Sequence, residues 1–351
     1  MSRGRHKRFK HWEEWEIIIK SKVFLTAIAA IVIYVLLFWG IRHFGQKLEF
    51  GEQEPVWGDL SDSIVSGVTL DYEGRTYVYR KADLTNILVI GVDVDTLVGE
   101  TRGGRNGGQA DVLMLLVMDR QNKTITPIPI DRDTITEIPI YGVFGDAAGT
   151  REAQISLSHA FGNTEDERSE HTVDAVERLF GSVTVDHYLT MDMGGIAILN
   201  DTLGGVTVTL EDDFTHYDPS MAEGVTLTLK GKQAEYYVRG RMDMSVGTNA
   251  ARMRRQETFL ESALALLRTH MEESLSFMGE LVDALAGHMV TDMTRGQLIN
   301  DAYVYQRYQT REARPILGKH VVNEEGFSEF HSDVDALEAL IIDVFFEPRD
   351  D

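Results

Sequence analysis

Residues 23–41, VFLTAIAAIVIYVLLFWGI, form a single apolar run without a charge. At about 19 residues it is long enough to cross the hydrocarbon core of a bilayer as one helix. Gly45, Gly51, Pro55 and Gly58 then break any period, and the alternating stretch VTLDYEGRTYVYR (68–80) predicts a β-hairpin turning at Glu73-Gly74. Three continuous apolar segments, TNILVIGVDVD (85–95), VLMLLVMD (112–119) and ITPIPID (125–131), have the profile of strands buried on both faces. A glycine-rich stretch, VGETRGGRNGGQAD (98–111), separates the first two. Further on, ISLSHAFG and EHTVDAVERLFG (170–181) have helical spacing, VDHYLTMDM (185–193) reads as a strand, and GGIAILNDTLGG reads as a helix closed by glycines. VTVTL is a further strand, KGKQAEYYVRGR starts a helix or turn, and 252–286 is helical, with Phe259, Leu260, Ala263, Leu264 and Leu267 apolar. This alternation predicts an α/β sandwich around one mixed sheet.

Charge fixes the expected orientation. Residues 1–22 carry seven Lys/Arg against three Glu, whereas acidic sequence follows the apolar run. The basic flank belongs in the cytoplasm, which places everything after residue 42 outside. A cleaved signal peptide is the competing reading. Against it stand the length of the run and the lack of a small-x-small site after LLFWGIRHFGQ. The chain as a whole has a formal charge of -22, so the part outside carries about -26. Such an exterior repels nucleic acid and anionic headgroups at long range, which excludes nucleic acid as the expected partner. Cysteine is absent, and with it disulfides, thiol nucleophiles and thiolate metal sites.

Against that background, YVRGRMDMSVGTNAARMRRQ (237–256) concentrates Arg239, Arg241, Arg252, Arg254 and Arg255 beside a single acid, Asp243. Guanidinium stays charged and offers a planar fork for phosphate, so this cluster is the candidate anion site. Arg254 reads as an ordinary solvated helix-face arginine. No G-x-S-x-G, H-E-x-x-H, P-loop or dinucleotide fingerprint occurs. GGRNGG (103–108) reads first as a loop and second as a backbone cradle for phosphate. Asp93 ends one apolar strand and Asp111 immediately precedes the next. Singly, each reads first as a capping or turn aspartate. On one sheet rim, together, they suit Mg²⁺, which takes one or two carboxylates plus waters and phosphate oxygens. Arg132 in IPIDRDT stands between two acids, which in isolation is a structural salt bridge.

Taken in order, NILVIGVD (86–93), QADVLMLLVMD (109–119), ITPIPIDRDTITEIP (125–139), DHYLTMDMGGIAILNDTLGGVTVTL (186–210), LKGKQAEYYVRGR (229–241) and ARMRRQ (251–256) resemble the LytR–CpsA–Psr family of bacterial cell-envelope phosphotransferases. VTDMTRGQL (290–298) resembles a further downstream stretch of that family. The resemblance implies an α/β/α sandwich enclosing a lipid tail, and transfer of a glycopolymer phosphate from a polyprenyl-pyrophosphate carrier to a peptidoglycan hydroxyl outside the membrane. Carried over by motif, it implies that Asp93 and Asp111 hold Mg²⁺. It likewise implies that Arg132, Arg239, Arg241, Arg252 and Arg255 surround the pyrophosphate. The expected organisation is a cytoplasmic segment (1–22), a membrane helix (23–41), a stalk with hairpin (42–83), the main domain (84–270) and a helical extension packed on it (271–351).

Three positions depart from the family pattern. ADV (110–112) stands where Ser-Asp-Thr is common, and Asp95 stands where an arginine often occurs, with Arg102 and Arg105 nearby as substitutes. Asn249 occupies the place of an aspartate three residues before the R-x-x-R-Q arginine. If that acid activates the acceptor hydroxyl, Asp243 is the alternative base. A module that binds the polyprenyl pyrophosphate without catalysis, or a structural envelope protein, is the competing expectation.

Overall fold

A computed structural model describes residues 69–94, 97, 107–141, 147–181, 183–240, 248–274 and 276–349. The expected membrane helix lies outside the described residues. Among the described ones, no helix is long and apolar enough to cross a membrane.

The chain begins with β1 (Thr69–Tyr72) and β2 (Arg75–Tyr79), joined as expected at Glu73-Gly74, both with positive φ. β3 (Leu84–Val92), β4 (Ala110–Asp119) and β5 (Thr124–Ile130) are the three apolar runs of the sequence. The hairpin β6 (Ile135–Tyr141) and β7 (Ala147–Gln154) leads into a 3-10 helix (Ile155–Ala160) and α1 (Glu165–Leu179). Next come β8 (His187–Asp192), α2 (Gly194–Thr202), the paired β9 (Thr207–Thr209) and β10 (Thr226–Thr228), then α3 (Lys232–Arg239) and α4 (Thr248–Glu273). The remainder holds α5 (Phe277–Leu285), β11 (Met289–Thr291), α6 (Arg295–Tyr305), β12 (Gln309–Thr310), the hairpin β13 (Gly318–Val322) and β14 (Ser328–Ser332), α7 (Val334–Phe345) and β15 (Phe346–Pro348).

Six strands form the central sheet in the order β11-β8-β3-β4-β5-β12. β3 runs parallel to β8 and β5 to β12, while the other neighbours are antiparallel, so the sheet is mixed. Side chains alternate across a strand, and β3 and β4 feed two cores. Ile87, Val89, Met114 and Leu116 face a cluster with Tyr237, Val238, Phe259, Ala263 and Leu281 from α3, α4 and α5. Leu88, Ile90, Leu113 and Leu115 face the other side, against Val176 and Leu179 of α1 and Leu340, Ile341 and Phe345 of α7. Both faces are therefore covered by helices, which explains why these strands read as unbroken apolar runs.

Two stretches differ from the sequence reading. The helix expected over 252–286 starts earlier, at Thr248, and is interrupted between Glu273 and Phe277. There the Ser276 N–H turns to Ser274 Oγ at 3.3 Å, and Ser276 Oγ donates to Glu280 at 2.7 Å. Serine hydroxyls compete with the helical ladder in this way, and periodicity does not record it. Residues 271–351, expected as a helical extension, also supply β11 and β12 to the central sheet, and β15 pairs with β2 of the first hairpin. The last described strand is thus part of the same sheet as the first described hairpin.

Candidate active site on one rim of the sheet

Directions and register bring the C-terminal ends of β3, β5 and β8 and the N-terminal ends of β4 and β11 to one edge. Along that edge, in sheet order, lie His288, Asp192, Asp93, Asp111 and Arg132. Neighbouring strands are about 4.8 Å apart, so the stretch from Asp192 to Arg132 spans about 14 Å. Gly91 pairs with Val112 and Val92 with Ala110, which leaves Asp111 as the extra residue of a β-bulge. A bulge re-aims the side chain it carries. Asp93, the first residue after β3, is exposed.

Asp111 and Arg132 are buried, at 3% and 6% exposure, and form a salt bridge. Arg132 Nη2 also donates to Gln109 Oε1 at 3.0 Å, and Nε donates to Asp133 Oδ1 at 3.3 Å. A fork held from three directions is pre-oriented, so little rotamer freedom remains to be lost when an anion arrives. The structure thus joins two sequence candidates, one acid and one arginine, that are 21 residues apart.

Of the arginine cluster, Arg255 is the one whose side chain falls among the described residues. Arg255 is 2% exposed, and each guanidinium nitrogen has an acceptor inside the protein. Nε donates to the Tyr237 carbonyl at 3.0 Å, Nη2 to the Gly240 carbonyl at 2.7 Å, and Nη1 to Asp212. Its charge also lies 5.0 Å from the Phe214 ring centroid. Arg255, which the family motif places at the pyrophosphate, fastens the residue between Arg239 and Arg241. Gly240 itself admits no larger residue, since a Cβ there would lie 2.5 Å from the Tyr236 carbonyl and 2.7 Å from Phe214. The side chains of Arg239, Arg252 and Asn249, and the whole of Arg241 and Asp243, lie outside the described residues.

The glycine-rich stretch has a packed root that the sequence did not reveal. A Cβ on Gly107 would sit 1.8 Å from Arg168 Nη1, and one on Gly108 would sit 2.6 Å from Val94 Cγ1. His159, fully buried, lies with Nδ1 3.1 Å from the Gly107 carbonyl, which assigns the proton to Nδ1. Arg168, also fully buried, donates to the Ala160 carbonyl at 3.0 Å. Burial pushes the His159 pKa from 6.5 down to about 3. The unfolded chain takes up this proton near pH 6.5 and the folded chain does not. Stability should therefore be lost as pH falls below 6.5, by about 2 kcal/mol at pH 5. Urea unfolding at pH 7 and pH 5 checks this: His159→Gln should lack that part of the pH slope, and an unchanged slope would contradict the assignment.

One further group was not legible from sequence. Asp131, Asp133 and His320 bring ligand-type atoms within 4.8 Å of one another. His320 Nε2 lies 3.2 Å from Asp131 Oδ2, and the hydrogen bond to Asp131 raises the imidazole pKa. The arrangement is an ion pair tying β13 to the turn after β5. His320 is far from IPIDRDT in sequence, and no spacing rule connects them.

Comparisons with known proteins bear on the family and the fold. The LytR_cpsA_psr family model matches residues 61–331. Curated relatives named polyisoprenyl-teichoic acid–peptidoglycan teichoic acid transferase TagU include one from Halalkalibacterium halodurans, 27% identical over 67% of this chain and 70% of the relative. Another, from Bacillus licheniformis, is 26% identical over 88% of both chains. Among solved structures, protein gbs0355 of Streptococcus agalactiae superposes with a TM-score of 0.55 at 22% identity, covering 75% of this chain and 87% of that one. TagV of B. subtilis gives 0.51 at 20% identity, with coverages of 75% and 96%. The two structures share the fold, and the family match takes in both the bulged rim and the arginine segments: the chain belongs to the LytR–CpsA–Psr family.

Proposed function

We propose that this protein transfers a glycopolymer phosphate from a polyprenyl-pyrophosphate carrier to a peptidoglycan hydroxyl, on the outer side of a membrane to which residues 23–41 anchor it. The observation that carries this reading is the buried Asp111–Arg132 pair on a β-bulge, in a chain whose relatives are named for teichoic acid transfer to peptidoglycan. In the reaction, the acceptor oxygen bonds to the phosphorus nearer the glycopolymer. The bond from that phosphorus to the bridging oxygen breaks, and polyprenyl phosphate leaves with the electron pair. The acceptor proton passes to a base or to solvent.

Arg132 supplies a pre-oriented fork for the phosphate oxygens, and Arg239, Arg241 and Arg252 add charge from the segment that Arg255 fastens. Asp93, just after β3, and Asp111, on the neighbouring β4, are the carboxylates that would hold Mg²⁺, Asp111 doing so beside its bond to Arg132. When bound there, Mg²⁺ neutralises phosphate charge. Asn249, at the position of the expected acid, favours a second reading, a module that holds the carrier without turning it over. Lipids extracted from protein purified in mild detergent test the proposal. Mass spectrometry should find polyprenyl phosphates or pyrophosphates in the wild type and much less in Arg132→Glu. No prenyl lipid in either preparation would contradict both readings.

A further inference from the structure

The active-site rim also carries a carboxylate and an imidazole to which nothing above assigns a task. Asp192 closes β8, and its side chain is fully buried. Its two oxygens are shared out. Oδ2 accepts the Leu97 N–H at 2.7 Å, while Oδ1 accepts the Gly195 N–H at 3.1 Å and lies 2.8 Å from His288 Nδ1. A carboxylate oxygen accepts, so Nδ1 is the nitrogen that carries the proton. The backbone repeats the link, with the Asp192 N–H bonded to the His288 carbonyl at 3.2 Å and the Met193 N–H to the Val94 carbonyl at 3.1 Å.

These contacts grip the chain immediately after Asp93. Val94 is tied by Met193, and Leu97, 1% exposed, is tied by Asp192. Val92 is opposite Asp192 in the parallel β3–β8 ladder, so Asp93 leaves the sheet beside this latch. Burial alone raises the Asp192 pKa, and the Leu97, His288 and Gly195 donors oppose it. Among the described residues, His288 is the one side-chain donor that Asp192 has. His288 is two strand spacings, about 10 Å, from Asp93 along the rim. It therefore acts through Asp192 rather than on the reacting atoms.

We infer that His288 is a positioning residue: through Asp192 it holds the turn that carries Asp93, and so sets how tightly the rim retains a divalent cation alongside phosphate. The latch stands on its own hydrogen bonds, and its effect on the cation rests on the proposed function. Two variants test it. His288→Leu removes the donor, whereas the amide of His288→Asn places a donor near the position of Nδ1. Hydrogen exchange at the Leu97 amide reads the latch directly. Calorimetric titration of Mg²⁺ into protein with inorganic pyrophosphate reads its consequence.

His288→Leu should speed Leu97 exchange at least tenfold and weaken Mg²⁺ binding at least fivefold, and His288→Asn should restore both. Unchanged Leu97 exchange in His288→Leu, or equal losses in the two variants, would overturn the inference. Faster exchange with wild-type Mg²⁺ affinity would also overturn it, by reducing the latch to a structural tie. If the wild type itself binds no Mg²⁺, the cation assignment of the proposed function fails, and His288 is left without the role inferred for it.

Discussion

Asn249→Asp should raise turnover on saturating lipid-linked substrate by about 10²-fold or more, because a positioned general base is typically worth 10²–10⁴ in rate. An amide accepts no proton at neutral pH, whereas a carboxylate does. Asn249 is the second residue of α4, whose first turn contains no acid. An acid in the first turn of a helix is generally favoured by the macrodipole, by about 0.3–1 kcal/mol. The added charge also opposes phosphate, so substrate binding should be equal or weaker. Steady-state kinetics over a range of lipid concentrations separates the two effects. Unchanged turnover, with activity abolished by Asp243→Ala, would move the base to Asp243.

Arg132→Lys should lower transfer by about 10²–10³-fold while leaving the fold largely intact. Lysine keeps a positive charge opposite Asp111 but cannot reproduce a fork held at once by Asp111, Gln109 and Asp133. Arg132→Ala is the contrasting case. It leaves two buried carboxylates, Asp111 and Asp133, without their guanidinium, and breaking such a pair costs about 3–5 kcal/mol. Thermal unfolding and transfer rates should therefore diverge for Lys and fall together for Ala. A Lys variant with wild-type turnover would make Arg132 a structural ion-pair partner, the reading its flanking acids first suggested.

The sheet was legible because its central strands are buried on both faces, and ILVIGV and VLMLLVM carry that condition in consecutive residues. The hairpin at Glu73-Gly74 was equally plain, since only certain residues accept positive φ there. β11 and β12 were not, being three and two residues long and placed by pairing rather than by pattern. Motif order brought Asp111 and Arg132 to notice, but their contact depends on a bulge that leaves no trace in hydrophobic spacing. Arg255 shows the converse limit. It shares a motif with Arg252, and its partners, two backbone carbonyls and Asp212, are joined to it by the fold and not by any spacing in the sequence. The latch of Asp192, His288 and Leu97 joins residues about a hundred apart through strand order alone.

The most direct measurement is a single-turnover reaction of detergent-solubilised full-length protein with a polyprenyl-pyrophosphate-linked glycan and peptidoglycan oligosaccharides, followed by mass spectrometry. The expected result is Mg²⁺-dependent release of polyprenyl phosphate matched by an adduct joining glycan phosphate to peptidoglycan, faster in Asn249→Asp and about 10²–10³-fold slower in Arg132→Lys. Intact carrier lipid retained without adduct, in the wild type and in Asn249→Asp alike, would contradict transfer and leave a carrier-binding module.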